Sequence, residues 1–132
     1  MSYAGAAALQ AAIYQRLTAA VPLAGIPIHD ALPPGAGAGT FVLIGPEEVR
    51  DASDKSGPGA EHRFVVSVIS DGSGFQAAKS VAVAVSDALV GAALVLARGR
   101  LVHLLFQRAR AVRIDEGEVR RIDLIFVARL EL

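Results

Sequence analysis

The side chains that could bind a metal or act in catalysis are few and widely spaced in this sequence. Its three histidines, His29, His62 and His103, lie far apart and show no i, i+4 pairing. A zinc site is usually recognised by short ligand spacing, which is missing here. His29 precedes Asp30, but a metal site built on that pair would need several further convergent ligands. We therefore expect no metal, and we expect His62 and His103 to be hydrogen-bonded structural residues in strands.

Phosphate-binding and nucleophile motifs are also missing. The glycine-rich run 35–39 follows two prolines and precedes a predicted strand, whereas a phosphate loop needs a strand before it and a helix after it. No Gly-Lys-Ser/Thr and no Gly-x-Ser-x-Gly sequence occurs. The adjacent carboxylates 47–48 and 115–116 would point to opposite faces of a strand. The sequence predicts no catalytic set and no cofactor site, with 35–39 as a flexible loop.

Composition narrows the class of protein. The chain has 132 residues, 53% of them hydrophobic and 20% charged, with 13 basic residues, 13 acidic residues and no cysteine. This length predicts a single domain, 1–132, with a substantial core, and the composition excludes a disordered tail. A disulfide framework and a cysteine nucleophile are excluded. The balanced charge argues against DNA as the main partner.

Two apolar segments could be mistaken for membrane or export signals. The first, 1–14, has no basic residue and is interrupted by Gln10, unlike a signal peptide. The second, 81–97, contains Ser86, Asp87 and Gly91, and a charge at mid-membrane costs at least about 2.5 kcal/mol. We expect no membrane span, and we interpret the second segment as a helix that runs into a loop and a strand.

Two amphipathic helices are predicted. The first covers 4–20, with Ser2 as its N-cap and Pro22 ending it. Its apolar residues, spaced i, i+4, i+8, are Leu9, Ile13 and Leu17. The second begins at Phe75 after a turn at 70–74 and ends near Gly91, with apolar residues at spacings of three and four.

Alternating apolar residues predict four strands, which are Phe41–Ile44, Arg63–Ser70, Leu101–Ile114 and Glu118–Leu132. Gly45-Pro46 is expected to end the first strand, and 26–28 is a short extended piece at most. The polar segment 51–60 is expected to be an exposed, mobile loop. The acidic turn 115–117 predicts a hairpin between the last two strands.

The predicted order is helix, strand, strand, helix, strand, strand. Strands that come in pairs with polar turns favour a mainly antiparallel sheet. Two helices on one face of that sheet then give an α+β, two-layer domain. In the last strand, one face is expected to be apolar and to face the core. The opposite, solvated face should include Asp123, Arg129 and Glu131.

Charge is distributed unevenly along the chain. Residues 98–132 carry eight basic and five acidic residues, a net charge of +3, and residues 1–97 carry five basic and eight acidic residues, a net charge of −3. One interpretation is a solvated hairpin face with weak ion pairs across its strands. The other is a dipolar subunit whose basic surface meets the acidic surface of the next copy, a heterologous contact that can close into a ring.

Three stretches, taken in order, carry a family resemblance. The first is 51–62 (DASDKSGPGAEH), in which small polar residues, a lysine and two glycines lead into Glu-His and a strand. The second is 75–89, an alanine-rich helix that begins FQAAK, and the third is 100–106 (RLVHLLF), followed by an arginine-rich hairpin and a closing ARLE at 128–131. With the opening helix and the strand that follows the Pro/Gly loop, they resemble the small tail-completion, or tail-terminator, proteins of tailed phages and gene transfer agents.

The resemblance implies structural rather than catalytic work. Such proteins form a six-membered ring on the head-proximal end of the tail tube, stop its growth and receive the head-completion proteins. The implied partners are further copies of the chain in a homohexamer, the tail tube protein and the head-completion or connector proteins. DNA would pass through the lumen without sequence-specific binding. The implied location is the virion, after assembly in the host cytoplasm.

Two residue groups are our predicted interface. The glycine-rich loop is expected to order on contact with a neighbour or the tube, and its residues and the two that follow it are Ser53, Lys55, Gly57, Gly59, Glu61 and His62. The arginine group is expected either to contact acidic neighbours or to line a lumen, and comprises Arg98, Arg100, Arg108, Arg110 and Arg113.

Two other classes of protein remain open on sequence grounds. A small oligomeric ligand-binding or enzyme domain of α+β type predicts a concave apolar pocket with a few convergent polar groups. An adaptor or immunity-type binding module predicts a discrete one-to-one complex. A ring component predicts flat surfaces of complementary charge instead.

Overall fold

Two helices and five strands make up the part of the chain that the computed structural model describes, residues 2–31, 39–72, 74–114 and 118–132. In chain order they are α1 (Ala6–Ala19), β1 (Ile28–His29), β2 (Thr40–Asp51), β3 (Gly59–Ser70), α2 (Gln76–Leu89), β4 (Arg100–Ile114) and β5 (Val119–Glu131). The predicted α+β class and the predicted sequence of longer elements are confirmed. Strand β1 was not predicted. It has two residues and lies where only a short extended piece, 26–28, was expected.

The sheet has the strand order β1-β2-β3-β5-β4. Strand β1 pairs with β2 in parallel, and all the other pairings are antiparallel. Strand β3, predicted to be central because both of its faces are apolar, lies between β2 and β5. The last two strands form the expected hairpin, with Ile114 opposite Val119. The turn 115–117 itself, like most of the predicted flexible loop 35–39, lies outside the described residues.

Strand β2 is longer than predicted, because Gly45-Pro46 does not end it. The ladder with β3 continues to Asp51, with a register shift between Ile44 and Glu47. A β-bulge accommodates one extra residue and the missing proline N–H, so the strand resumes after a local bend. The continuation places Glu47 to Asp51 along the outer side of the sheet.

Both helices begin differently from the expectation. Helix α1 starts after Gly5 without a side-chain cap, and Ser2 donates instead to the carboxylate of Asp51 at the end of β2. Helix α2 follows Phe75 and ends at Leu89. Residues 90–99 then lead to β4 without regular structure, as interpreted from the segment 81–97. No helix in the described ranges is both long and apolar enough to span a membrane.

One face of the sheet packs against the helices and holds the core. On β5 its residues are Ile122, Leu124, Phe126, Ala128 and Leu130, all buried, as the alternation predicted. We call this the helix face. The other face, on which none of the described helices packs, carries the half-buried Asp123, Ile125 and Arg129. We call this the open face. Residues directly opposite each other across the antiparallel ladder share a face, so the register assigns each strand residue to one of the two.

Candidate functional site

The segment between β2 and β3 is a turn that is held by its own hydrogen bonds. The carboxylate of Asp54 accepts hydrogen bonds from the backbone N–H and the hydroxyl of Ser56, at 2.9 and 2.6 Å. Asp54 also forms a β-bridge with Gly57. Ser53 donates to Asp51 at 2.7 Å and accepts from the N–H of Gly59 at 3.1 Å. The predicted exposure is confirmed for Asp51 and 53–56, whereas Gly59 and Ala60 begin β3 and are buried.

The two glycines predicted as interface residues have structural roles here. Gly57 adopts a φ of 145°, a region that L side chains rarely enter. At Gly59 an added Cβ would lie 3.0 Å from the carbonyl oxygen of Ala52 and 3.1 Å from that of Leu130. Both contacts are with backbone atoms, so the close approach of the turn to β5 depends on glycine at this position.

Local hydrogen bonds also set the charge state of the turn. The hydroxyl of Ser56, with its backbone N–H, holds the pKa of Asp54 below its usual range, and nearby Arg129 adds to the effect. The hydroxyls of Ser2 and Ser53 lower the pKa of Asp51 in the same way. Donors that stabilise the ionised form of a carboxyl group lower its pKa. The turn therefore keeps two negative charges, while Lys55 extends from its exposed tip.

Arg129 fastens this turn to the sheet, a role that the sequence did not reveal. Its guanidinium donates to the carbonyl of Ala52 at 2.9 Å and to Asp54 at 3.4 Å. Arg129 lies on the open face of β5, opposite Glu61 of β3. The alternation predicted a solvated side chain here, but the partner is 75 residues away in sequence, and no local pattern could have identified it.

His62 and His103 have opposite environments. His62 is 0% exposed, and its Nδ1 lies 3.1 Å from a carboxylate oxygen of Glu47. It is a structural histidine, as expected, and its buried position prevents direct contact with a partner in this conformation. His103 lies in strand β4, as expected, but it is exposed, and its ring forms none of the side-chain hydrogen bonds found among the described residues. The reason is that β4 is an edge strand.

The arginine group does not form one surface. Arg108 lies opposite Ile125 and Arg110 opposite Asp123, which places both on the open face. Arg100 forms an ion pair with Glu131 at the start of β4, and Arg98 is exposed just before it. All of these are accessible, and the register places Arg100, Arg108 and Arg110 on the open face.

Arg113 belongs instead to a cluster around Phe75 on the helix face. The guanidinium of Arg113 lies 5.6 Å from the centre of the Phe75 ring, and Arg120 and Lys79 each lie 5.7 Å from it. Such distances allow cation–π attraction. The sequence separates Phe75 from Arg120 by a helix and a strand, so this cluster became visible only in the tertiary structure.

A groove opens at the opposite edge of the sheet, between α1 and the strands β1 and β2. Its volume is about 810 Å³, and its lining includes Tyr3, Tyr14, Ile28, Ile44, Asp30 and Glu47. Tyr3 and Tyr14 are 67% and 44% exposed, so the groove offers aromatic surface beside two carboxylates. His29 and Asp30 lie here, and in the described ranges no group of three or more His, Asp and Glu residues could hold a metal ion.

The comparisons with known proteins agree on one family. The family model described as "Tail completion protein gp17" matches residues 11–131. Eighteen chains of solved structures are similar to this one. One of them, titled "Virion of native gene transfer agent (GTA) particle", is 61% identical, with a TM-score of 0.91 over 99% of this chain and 100% of that chain. A comparison with curated protein sequences gave no match. On the family match over most of its length, this chain belongs to the tail completion protein gp17 family, whose members are structural virion components of the tail and not enzymes.

Proposed function

We propose that this chain is a tail terminator, one subunit of a six-membered ring that caps the head-proximal end of a tail tube. The ring ends tube growth and joins the tail to the head-completion or connector proteins. The observation that supports this is the unlike character of the two sheet edges. The β4 edge is exposed and basic, whereas the β1–β2 edge carries Asp30, Glu47 and Glu48. Different surfaces that attract each other make a head-to-tail contact, which closes into a ring when the rotation allows it.

Two surfaces remain for the other partners. The turn that carries Lys55 projects beyond the ends of β2 and β3, and we assign it to the tube or to a neighbouring subunit. Arg108 and Arg110 on the open face either contact acidic residues of a neighbour or line the lumen. A lumen lined by arginine would attract DNA through its phosphates without reading its sequence.

The test is the native mass of the chain alone and after mixing with the tail tube protein of the same particle, with tube lengths measured by electron microscopy. We expect a species of six times the 13.7 kDa subunit, either free or only on the tube, and tubes of fixed length. A monomer or dimer that leaves the tubes unchanged would contradict the proposal.

The role of the turn is tested in the same assay. The variant Lys55→Glu should reduce capping without changing the free energy of unfolding, because Lys55 is exposed. The matched control is Lys79→Glu, the same change of charge on the exposed side of α2, which should cap like the original chain. Equal capping by both variants would remove the turn from the interface.

A further inference from the structure

The β4 edge carries apolar side chains that an exposed edge strand rarely shows. Val102, Leu105 and Phe106 are 40%, 52% and 44% exposed. An edge strand with exposed apolar residues is prone to pair with another chain, and natural proteins usually avoid it. Phe106 also contacts the core, since its ring lies 6.0 Å from that of Phe126 in an edge-to-face arrangement. This contact holds Phe106 in place with part of its ring uncovered.

The groove beside α1 has the complementary character. Tyr14 and Ile44 supply apolar surface, and Asp30 and Glu47 supply negative charge. Among the described residues, the outer edge of β2 has a strand partner only at Val42 and Leu43, where β1 pairs with it. From Glu47 to Asp51 its outer edge is therefore available for pairing.

The register places these features on matching faces. On β4, Phe106 lies opposite Phe126 on the helix face, and Arg108 lies opposite Ile125 on the open face. On β2, Glu47 lies opposite Phe64 on the helix face, and Glu48 lies opposite Arg63 on the open face. The groove is on the helix side, next to α1. If two sheets meet edge to edge with their faces aligned, an aromatic ring therefore enters the groove while an arginine meets a glutamate on the other side.

We propose that β4 of one subunit lies along the outer edge of β2 in the next subunit, with Phe106 in the α1–β2 groove and Arg108 paired with Glu48. The inference rests on the proposed ring and identifies its subunit contact. The register of β4 with β5 is interrupted at Leu101/His103 and Phe106/Arg108 and is regular from Arg108 to Ile114.

A second copy explains the groove better than a small ligand does. The volume of the groove is within the range of small-molecule sites, but its two carboxylates already have partners. Asp30 accepts from Gln10 at 3.5 Å, and Glu47 lies against His62. The same chain carries side chains that complement this apolar and acidic lining. They are the exposed Phe106 and, two residues later, Arg108. Buried aromatic and arginine anchors are also the residues that dominate interface energies.

Cross-linking tests whether Phe106 of one subunit lies close to Tyr14 of the next. The chain has no cysteine, so only the introduced thiols can react. The double variant Phe106→Cys/Tyr14→Cys, treated with a short bismaleimide, should give covalent chains of up to six subunits. Each single variant should give no species above a dimer. The control pair Val95→Cys/Tyr14→Cys uses a residue that is 91% exposed outside β4 and should give at most dimers.

A charge exchange tests the contact independently. Arg108→Glu and Glu48→Arg should each reduce the hexamer fraction at least tenfold, and combining them should restore most of it, since neither side chain has an ion-pair partner among the described residues. Both sites are exposed, so the melting temperature should change little. Suppose that the original chain forms rings and caps tubes, but that the cysteine pair gives no cross-linked chains and the charge exchange gives no rescue. This contact is then wrong, and the terminator proposal stands. If the original chain neither forms rings nor caps tubes, the terminator proposal itself fails.

Discussion

Single residues in the β2–β3 turn act through the backbone rather than through catalysis. Asp54 is surrounded by hydrogen-bond donors, and Gly59 allows a close approach to β5, since an added Cβ would lie 3.1 Å from the carbonyl oxygen of Leu130. Arg129 closes the arrangement from the sheet. A turn that is already ordered by hydrogen bonds presents Lys55 at a lower entropic cost on binding than an unstructured loop would.

Asp54 should titrate below the usual range of an aspartate, because Ser56 donates two hydrogen bonds to its ionised form. Carbon-detected NMR of the side-chain carboxyl measures this pKa directly. In Ser56→Ala the pKa should rise, since the hydroxyl donor is gone. In the control Ser80→Ala, whose lost hydroxyl bonds only to Gln76, it should stay unchanged.

The lowered pKa has a consequence for stability. A carboxyl group whose pKa is lower in the folded chain contributes stability above its unfolded pKa, and the contribution disappears as the pH falls through the folded value. The hydrogen-bonded turn should therefore loosen in acid. A turn that is equally protected from amide exchange on both sides of this pH range would contradict the prediction.

Strand β5 connects most of the elements, because it pairs with β3 on one side and β4 on the other. Phe126 lies at its centre and is fully buried. Its ring stacks against that of Phe64 at 5.6 Å and meets the edge of Phe106 at 6.0 Å. The three rings join three of the five strands on the helix face, so the position of Phe106 at the sheet edge depends on Phe126.

Replacing Phe126 by alanine should therefore lower the free energy of unfolding by about 3–5 kcal/mol, the usual cost of truncating a buried phenylalanine. Urea denaturation measures the change. Val95→Ala, at a residue that is 91% exposed, should stay within about 0.5 kcal/mol of the original chain. A loss below about 1 kcal/mol at Phe126 would mean that the three-ring cluster does not hold the sheet together.

The elements also show where sequence patterns were sufficient. Strands β3 and β5 and both helices follow apolar periodicity, because one face of each is buried in the same core. The prediction ended β2 too early, at Gly45-Pro46. A rule based on neighbouring residues carries no information on the pairing with β3, which continues beyond the bulge. Strand β1 has two residues, too few for a periodic signal.

At the scale of the whole molecule, the strand order converts an uneven distribution of charge along the sequence into an uneven distribution across the domain. The C-terminal segment 98–132 has a net charge of +3. Because β4 is the last strand in the sheet order and β2 lies near the other end, basic and acidic residues are separated across the width of the domain. Within residues 98–132, Arg108 and Arg110 project from the exposed edge strand.

Ring formation should accordingly weaken with salt. The Debye length falls from about 10 Å at 0.1 M to about 3 Å at 1 M ionic strength, so attraction between subunits declines while the apolar contact of Phe106 remains. Sedimentation velocity at both ionic strengths should show a smaller hexamer fraction at the higher one. In Arg108→Glu this dependence should flatten or reverse, and a hexamer of the original chain that is indifferent to salt would exclude an electrostatic contact.

The sequence by itself determined the α+β class, the central place of β3, the buried face of β5 and the family resemblance that the family match confirmed. These depend on periodicity and on the order of motifs, both of which are properties of neighbouring residues. Only the tertiary structure decided that His62 is buried and His103 exposed, that Arg129 holds the turn, and that Arg108 and Arg113 lie on opposite faces. Each of these depends on which strands become neighbours and in which register, and contacts between residues distant in sequence set both.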